Sequence, residues 1–196
     1  MRYTVIDFET ANSKRSSACA LGIAVVEDNR VVESFAYLIK PKDMYFASMN
    51  IGIHGIYPED VENQPEFDVL YENVFKKYIE NQLVLAHNAS FDFSVLRACL
   101  TEYGIDFPTC DYLCTVKVAQ KMWPNLARHS LDVVSKYLGY DFKHHDAYDD
   151  ACACANIMIQ TSSALRSDPY EVAEHFNIKV GKLFKNGYKA CSSKRF

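Results

Sequence analysis

The chain has 196 residues, of which 49% are apolar and 23% charged, with seven cysteines and a formal net charge of −4. That is enough for one globular domain with a sizeable core, and the odd cysteine count argues for reduced thiols rather than a disulfide framework. No apolar run approaches the roughly 18 residues of a membrane span. Met1-Arg2-Tyr3 leads straight into a strand without signal-peptide architecture, so a cytoplasmic chain with no membrane partner is expected.

Charge is unevenly spread. From Phe176 onward there are six basic residues (Lys179, Lys182, Lys185, Lys189, Lys194, Arg195) and no acidic one, which leaves 15 basic and 25 acidic side chains before it. An acidic body does not signal nucleic-acid binding by bulk electrostatics. It suits a protein that gathers carboxylates around metal ions, while the basic end reads either as a phosphate clamp or as a solvated tail.

In chain order, an alternating stretch from Tyr3 predicts a strand that runs into Asp7-Phe8-Glu9-Thr10, and residues 11–18 read as a loop. Cys19 to Glu27 and Arg30 to Ile39 are β-branched and aromatic, and Asp28-Asn29 between them predicts a hairpin. Pro41 ends it, and Gly52, Gly55 and Pro58 break up residues 42–65. Glu66 to Glu80 has helical periodicity, and Leu83 to Ala86 reads as a buried parallel strand. A helix with Ser90 as N-cap follows, its apolar stripe formed by Phe91, Val95, Leu96 and Leu100. Asp111 to Cys114 predicts a last short strand. Helices are expected at 115–122, from Ser130 or Leu131 to Leu138, from Ala147 to Ser163, and from Asp168-Pro169. Asn186-Gly187 marks a closing hairpin. A hairpin-first sheet followed by strand–helix alternation argues for a mixed α/β sheet with helices on its faces.

The chemistry-bearing residues cluster in three stretches. Asp7 and Glu9 lie two apart on a strand, so both face one way, about 7 Å apart along it. Two such anions repel unless a cation lies between them, and hard ions such as Mg²⁺ or Mn²⁺ prefer carboxylate oxygens. Taken alone, the pair is also what an edge strand with an acidic face looks like. Asp92 lies in His87-Asn88-Ala89-Ser90-Phe91-Asp92, on the first turn of a helix past a buried strand, where α/β sheets collect ligands. His145 and Asp150 lie in His145-Asp146-Ala147-Tyr148-Asp149-Asp150-Ala151, so a ring preceding the helix can hang over the site that Asp150 faces.

In this order, Asp-Phe-Glu-Thr, His-Asn-Ala-x-Phe-Asp and His-x-Ala-x-x-Asp-Ala resemble the three exonuclease motifs of the DnaQ-like family. The match is to its histidine-bearing (DEDDh) branch, which includes the proofreading epsilon subunit of DNA polymerase III. The wording is most similar to bacterial epsilon-like exonucleases, and the similarity covers residues 1–163. The resemblance implies a ribonuclease H-like fold: a mixed five-stranded sheet, three strands antiparallel and two parallel, flanked by helices. An exonuclease domain is then expected at 1–165, with 166–196 a C-terminal helix and basic, hairpin-like tail.

The resemblance further implies that Asp7, Glu9, Asp92 and Asp150 bind two divalent cations, Mg²⁺ or Mn²⁺, with Asp7 shared between them. His145 would be the general base, suited by its near-neutral pKa, in a hydrolysis that releases 5′-mononucleotides from a 3′ end. Phe8 and Thr10 match the stretch that touches the 3′-terminal nucleotide. His54 and Ile56 resemble the element that wedges against its base, and Asn88 could hydrogen-bond a phosphate or sugar oxygen. Packing or turn-making is the competing account of each. Adjacent side chains point apart, so only one of His144 and His145 is expected at the site, and the motif selects His145. Asp149 competes with Asp150 for the ligand role, and the trailing Ala151 favours Asp150.

Cys110, Cys114, Cys152 and Cys154 read as buried thiols rather than a zinc set. His87 reads as a structural histidine, and His129 and His175 as surface or capping residues. The expected activity is a 3′→5′ exonuclease on single-stranded ends, DNA before RNA, with a DNA polymerase or another replication or repair protein as partner. The alternatives are an exoribonuclease of RNA processing, and a catalytically idle module that binds nucleic acid or a polymerase.

Overall fold

The computed structural model describes residues 1–193, so Lys194 and Arg195 of the basic tail lie outside the described residues. Strands β1 (Arg2–Thr10), β2 (Ala18–Glu27) and β3 (Arg30–Leu38) form an antiparallel meander. Its second turn is Asp28-Asn29, with φ of 49° and 59°. A two-residue hairpin requires that backbone state, and Asp and Asn tolerate it best among non-glycine residues.

Two short helices follow, α1 (Ser48–His54) and α2 (Pro58–Val61). The helix expected over 66–80 is not uniform. Segments α3 (Phe67–Leu70) and α4 (Lys76–Ile79) flank a π-helical stretch over Tyr71–Phe75. Its apolar stripe survives, since Phe67, Leu70, Tyr71, Phe75, Tyr78 and Ile79 are all buried. Strand β4 (Leu83–Ala86) pairs parallel with β1, and with β5 (Cys110–Cys114) on its other side. Helix α5 (Ala89–Glu102) makes the crossover between them. Then come α6 (Thr115–Met122), α7 (Leu131–Tyr137), α8 (Ala147–Leu165) and α9 (Pro169–His175). Short strands β6 (Ile178–Lys179), β7 (Gly181–Phe184), β8 (Gly187–Lys189) and β9 (Ser192–Ser193) close the described chain.

The main sheet has the order β3-β2-β1-β4-β5-β7-β8. Its first five strands are the expected mixed sheet, and the C-terminal hairpin extends it to seven by pairing β7 antiparallel with β5. Phe184 pairs with Gly187, so Lys185-Asn186 form the hairpin turn, one residue earlier than the Asn-Gly signal indicated. β7 can close on β5 because residue 181 is glycine: a Cβ there would overlap the ring of Tyr112. That ring is stacked on Phe93 with centroids 3.9 Å apart.

The sheet separates two apolar layers by the period-2 alternation of its strands. Ile6, Phe8, Val84 and Ala86 face α3–α4 and α5, together with Phe93 and Leu96. Tyr3, Val5, Leu83, Leu85 and Leu113 face α6–α9, together with Ile157 and Met158. Burial of each large aliphatic or aromatic side chain contributes about 1.5–3 kcal/mol, so both helical layers are firmly held against the strands that carry the acids.

Candidate active site

Asp7 and Glu9 continue the row begun by Tyr3 and Val5, and therefore point to the side of the sheet that α8 covers. Across the ladder from Asp7 is Gly22. A Cβ at Gly22 would overlap the backbone carbonyl of Ala147, so the first turn of α8 rests directly on bare strand. That close approach brings Asp150, one turn along, down to β1. Carboxylate oxygens of Asp7, Glu9 and Asp150 all lie within 4.8 Å of one another.

The competing acids of this turn are used locally. Asp146 is the N-cap of α8 and accepts from the N–H groups of Tyr148 and Asp149, as an N-cap carboxylate should. Asp149 accepts from the Lys143 N–H at 3.0 Å. Asp150 is left facing the cluster, 4% exposed, with the His145 N–H donating to both of its oxygens at 3.2 and 3.3 Å.

Asp92 approaches from the other layer. It is 1% exposed on the first turn of α5, and its Oδ1 accepts from the Phe8 N–H at 3.0 Å. It lines the same cleft without entering the 4.8 Å cluster. The cap of α5 is Asn88 rather than Ser90. Asn88 takes up the left-handed conformation (φ 69°), and Ser90 Oγ donates to its Oδ1. A left-handed residue turns the chain sharply between the end of β4 and the helix, which drops Asp92 toward the sheet end.

Concentrating these acids has a clear electrostatic signature. Burial, then repulsion from Asp92, Asp150 and Glu9, lifts the Asp7 carboxyl well above the carboxylate range. Burial, then Asp150 and Asp92, pushes Glu9 up to about 8. Burial also raises Asp92 to about 7 against the Phe8 N–H and the Arg15 charge, and Asp150 to about 7 against the His145 N–H. Without a cation the site prefers to hold protons. Hard, closely spaced carboxylate oxygens beside imidazoles are the donor set that divalent cations such as Mg²⁺ and Mn²⁺ take, so these residues could hold such ions.

The cleft has a volume of about 660 Å³. Both histidines of the 144–145 pair line it, their rings stacked with centroids 3.8 Å apart. The expectation that one ring would point away is therefore corrected. His145 has φ 68°, and that left-handed residue breaks the alternation that separates neighbouring side chains. Ring nitrogens of His144 and His145 lie within 4.8 Å of an Asp150 oxygen. Burial, then the neighbouring His144 and His54, holds the His145 pKa below its ordinary value.

His54 is tied into its own turn. Its Nδ1 accepts from the Ile56 N–H at 3.0 Å, which leaves Nε2–H to donate to the Thr10 carbonyl at 3.2 Å. Thr10 is buried at the cleft wall, and Phe8 lines the cleft from the adjacent core. Asn88 is at the rim. Ile56 is not among the lining residues: it packs against Ala11, Cys19, Phe46 and Val61, and Ile53 stands at the cleft in its place. Gly55, left-handed at φ 71°, ends α1 and turns the chain away between the two isoleucines.

Sequence reasoning missed Asn50, Phe91, Gln120 and Arg128 in the lining. Asn50 lies one helical turn before His54 and donates to the Thr10 carbonyl at 2.8 Å, so the helical spacing of the two was the available signal. Arg128 is held over the cleft by a histidine relay. His87 Nε2 donates to the His129 carbonyl at 3.0 Å, and His129 Nε2 donates to the Trp123 carbonyl at 2.9 Å. Burial pushes the His87 pKa down to about 4, which keeps it neutral in this structural role.

Comparison with known proteins bears on the whole of this unit. Over 161 residues the chain is 31% identical to the DNA polymerase III PolC-type of Clostridium perfringens, covering 80% of this chain and 11% of that protein. Over 175 residues it is 30% identical to the 3′-5′ exonuclease DinG of Bacillus subtilis, covering 86% of this chain and 18% of that protein. The chain thus spans less than a fifth of these relatives' length. Among solved structures, Exonuclease X in complex with 5′ overhanging duplex DNA superposes with a TM-score of 0.71 at 22% identity, covering 88% of this chain and 98% of that one. Exonuclease I gives 0.74 at 15% identity, covering 90% and 43%. These neighbours share the fold. The RNase T exonuclease family model matches residues 4–158, the span that carries every acid of the cleft, and the chain belongs to that exonuclease family.

Proposed function

We propose that the chain is a divalent-cation-dependent 3′→5′ exonuclease that removes 5′-mononucleotides from single-stranded ends, with DNA as its substrate. The observation that carries this reading is the convergence of Asp7, Glu9 and Asp150 oxygens within 4.8 Å, with His145 beside them. Asp7, Glu9, Asp92 and Asp150 hold two ions, Mg²⁺ or Mn²⁺. Bound there, such ions supply charge neutralisation and Lewis-acid polarisation of phosphate and water.

The chain's own groups do the rest. His145, neutral near pH 7, accepts a proton from the attacking water, and its backbone N–H keeps Asp150 oriented. Phe8 fixes Asp92 through its N–H and presents an apolar wall to the terminal nucleotide. Thr10, held by Asn50 and His54, shapes the floor beside it. Ile53 and His54 form the edge against which the terminal base packs, a contact worth about 1–3 kcal/mol and tolerant of sequence. Asn88 hydrogen-bonds the sugar or phosphate at the rim.

The DNA assignment is supported by the relatives' names, a DNA polymerase and DinG, and by the DNA in the Exonuclease X complex. The PolC-type relatives also support a DNA polymerase, or another replication or repair protein, as partner. No helix among the described residues is long and apolar enough to cross a membrane, which suits work in the cytoplasm. Residues 1–165 form the exonuclease unit in this reading, and 166–196 append a helix and a basic hairpin to it.

The test uses matched 5′-labelled single strands of DNA and RNA with Mg²⁺ or Mn²⁺, each beside a chelator control. A metal-dependent ladder shortening from the 3′ end of DNA is expected. A ladder on RNA alone would make the chain an exoribonuclease. No ladder, with the protein folded and metal-loaded, would leave a binding module.

A further inference from the structure

The acid cleft does not end at its rim. Asn88, Val116 and Gln120 line it and also line a second depression, of about 250 Å³, beside α6. The far wall of that depression is the segment after β8, with Cys191 and Ser193, and its floor carries Lys117. The two depressions adjoin at these three residues, which makes a groove running from one into the other, and the charge of the lining differs between its two parts. The first part holds four carboxylates, whereas the second has no acidic lining residue among the described residues and carries a lysine. Lys117 is half-buried and forms no ion pair among the described residues. Val116, Lys117, Gln120 and Lys121 stand at i, i+1, i+4 and i+5 of α6, which puts them along one side of the helix. A further depression that shares Ser193 brings in Lys121 and Lys179 together with Glu174.

We propose that this groove, from Asn88 over Lys117 to Ser193, carries the sugar–phosphate backbone of the strand 5′ to the terminal nucleotide. The proposal rests on the exonuclease reading above, since a strand whose last phosphodiester sits among the acids must leave the cleft by some route. Carboxylates repel its remaining phosphates, and the adjoining depression along α6 offers Lys117 and no lining carboxylate among the described residues. The C-terminal segment, which lies outside the span matched by the family, supplies the groove's outer wall.

The experiment compares two substrates in the full chain with Mn²⁺. One is the p-nitrophenyl ester of thymidine 5′-monophosphate, which fills only the cleft. The other is a 12-nucleotide single strand, run as DNA and as RNA. For Lys117→Glu, the ratio of kcat/KM on the strand to kcat/KM on the ester should fall about tenfold or more. The log–log salt slope of strand binding, measured with Ca²⁺ by fluorescence anisotropy, should fall by about one for Lys117→Ala. Lys77→Glu, the same charge change on the far helical layer, should leave the ratio as it is. An unchanged ratio and slope in both Lys117 variants would overturn the groove. So would a drop seen with Arg15→Glu instead, because Arg15 rides at 4.5 Å over the ring of Phe91, which lines the cleft and not the second depression. A wild-type chain that cleaves neither substrate would refute the exonuclease reading itself, and the groove with it.

Discussion

The acid cleft and the aromatic core under α5 meet at β1, where Phe8 belongs to both, yet they are governed by opposite requirements. Beneath α5, Phe93 stacks on Tyr112 and apolar side chains interdigitate at no electrostatic cost. One residue away on the same strand, Asp7 and Glu9 are held against Asp150 in a state that burial and like charge both disfavour. The core stabilises the fold whatever the solvent holds. The cleft is destabilising with its acids unneutralised, and the strain persists because the core on either side fixes the backbone. The lesson is that stability and function are separable here by side-chain parity along a single strand.

The sharpest way to break the comparison is Asp7→Asn. Turnover of a 5′-labelled strand should drop about 10³-fold or more, while the melting temperature of the chelated protein should rise because a buried acid that must take up a proton on folding is replaced by a neutral amide. A fall in both would mean that Asp7 is a structural residue. His145→Gln should lower kcat by about 10²–10⁴-fold with little change in cation affinity read by calorimetry. His144→Gln should stay within about tenfold of the parent. Equal losses would show that the stacked pair works as one unit. On the core side, Phe93→Ala should cost about 3–5 kcal/mol in denaturant unfolding. The folded fraction should keep its kcat, and a selective loss of kcat would couple the two regions.

The smallest effect is the most diagnostic of the difference. Glu9, Asp92 and Asp150 hold protons more tightly folded than unfolded, with pKa values raised to about 8, 7 and 7. Their contribution to stability is thus fully present near pH 4 and is lost as pH climbs toward 8. His87, depressed to about 4, works the other way and removes stability as pH falls below its ordinary value near 6.5. From pH 6.5 to 8.5 the acids dominate, so the chelated protein should melt lower with rising pH, by about 2–4 °C per kcal/mol. Saturating Mn²⁺ should reverse that slope, because ions displace the protons. A slope that is the same with and without metal would place the cation elsewhere.

Much of this was legible in the sequence, and the exceptions share a cause. The acid pair on β1, the order of the strands and the helix that bears Asp150 follow from periodicity and spacing, which are averages over several residues. The differences come from single backbone states that periodicity does not encode. The left-handed φ at His145 put both rings into the cleft, that at Asn88 moved the cap of α5 back from Ser90, and that at Gly55 divided Ile53 from Ile56. Gly55 and Asn88 are residue types that tolerate this state, but residue type alone does not say that it is adopted, and His145 gave no such signal. The π-helical stretch at Tyr71–Phe75 escaped for a related reason: it preserves the apolar stripe that the helical period detects. Arg128 was invisible because a relay of two histidine side chains, 42 residues apart in the chain, places its loop.

Gly22 has no functional group, and it faces a helix backbone rather than the cleft. It nevertheless acts as the shim that gauges the acid cluster. Any side chain there would lift α8 from β2, and Asp150 would travel with the helix while Asp7 and Glu9 stayed with the strand. The spacing of the three carboxylates is therefore set by a missing methyl group. Changing that one position from glycine to alanine would part Asp150 from Asp7 and Glu9 while leaving all three acids in the sequence.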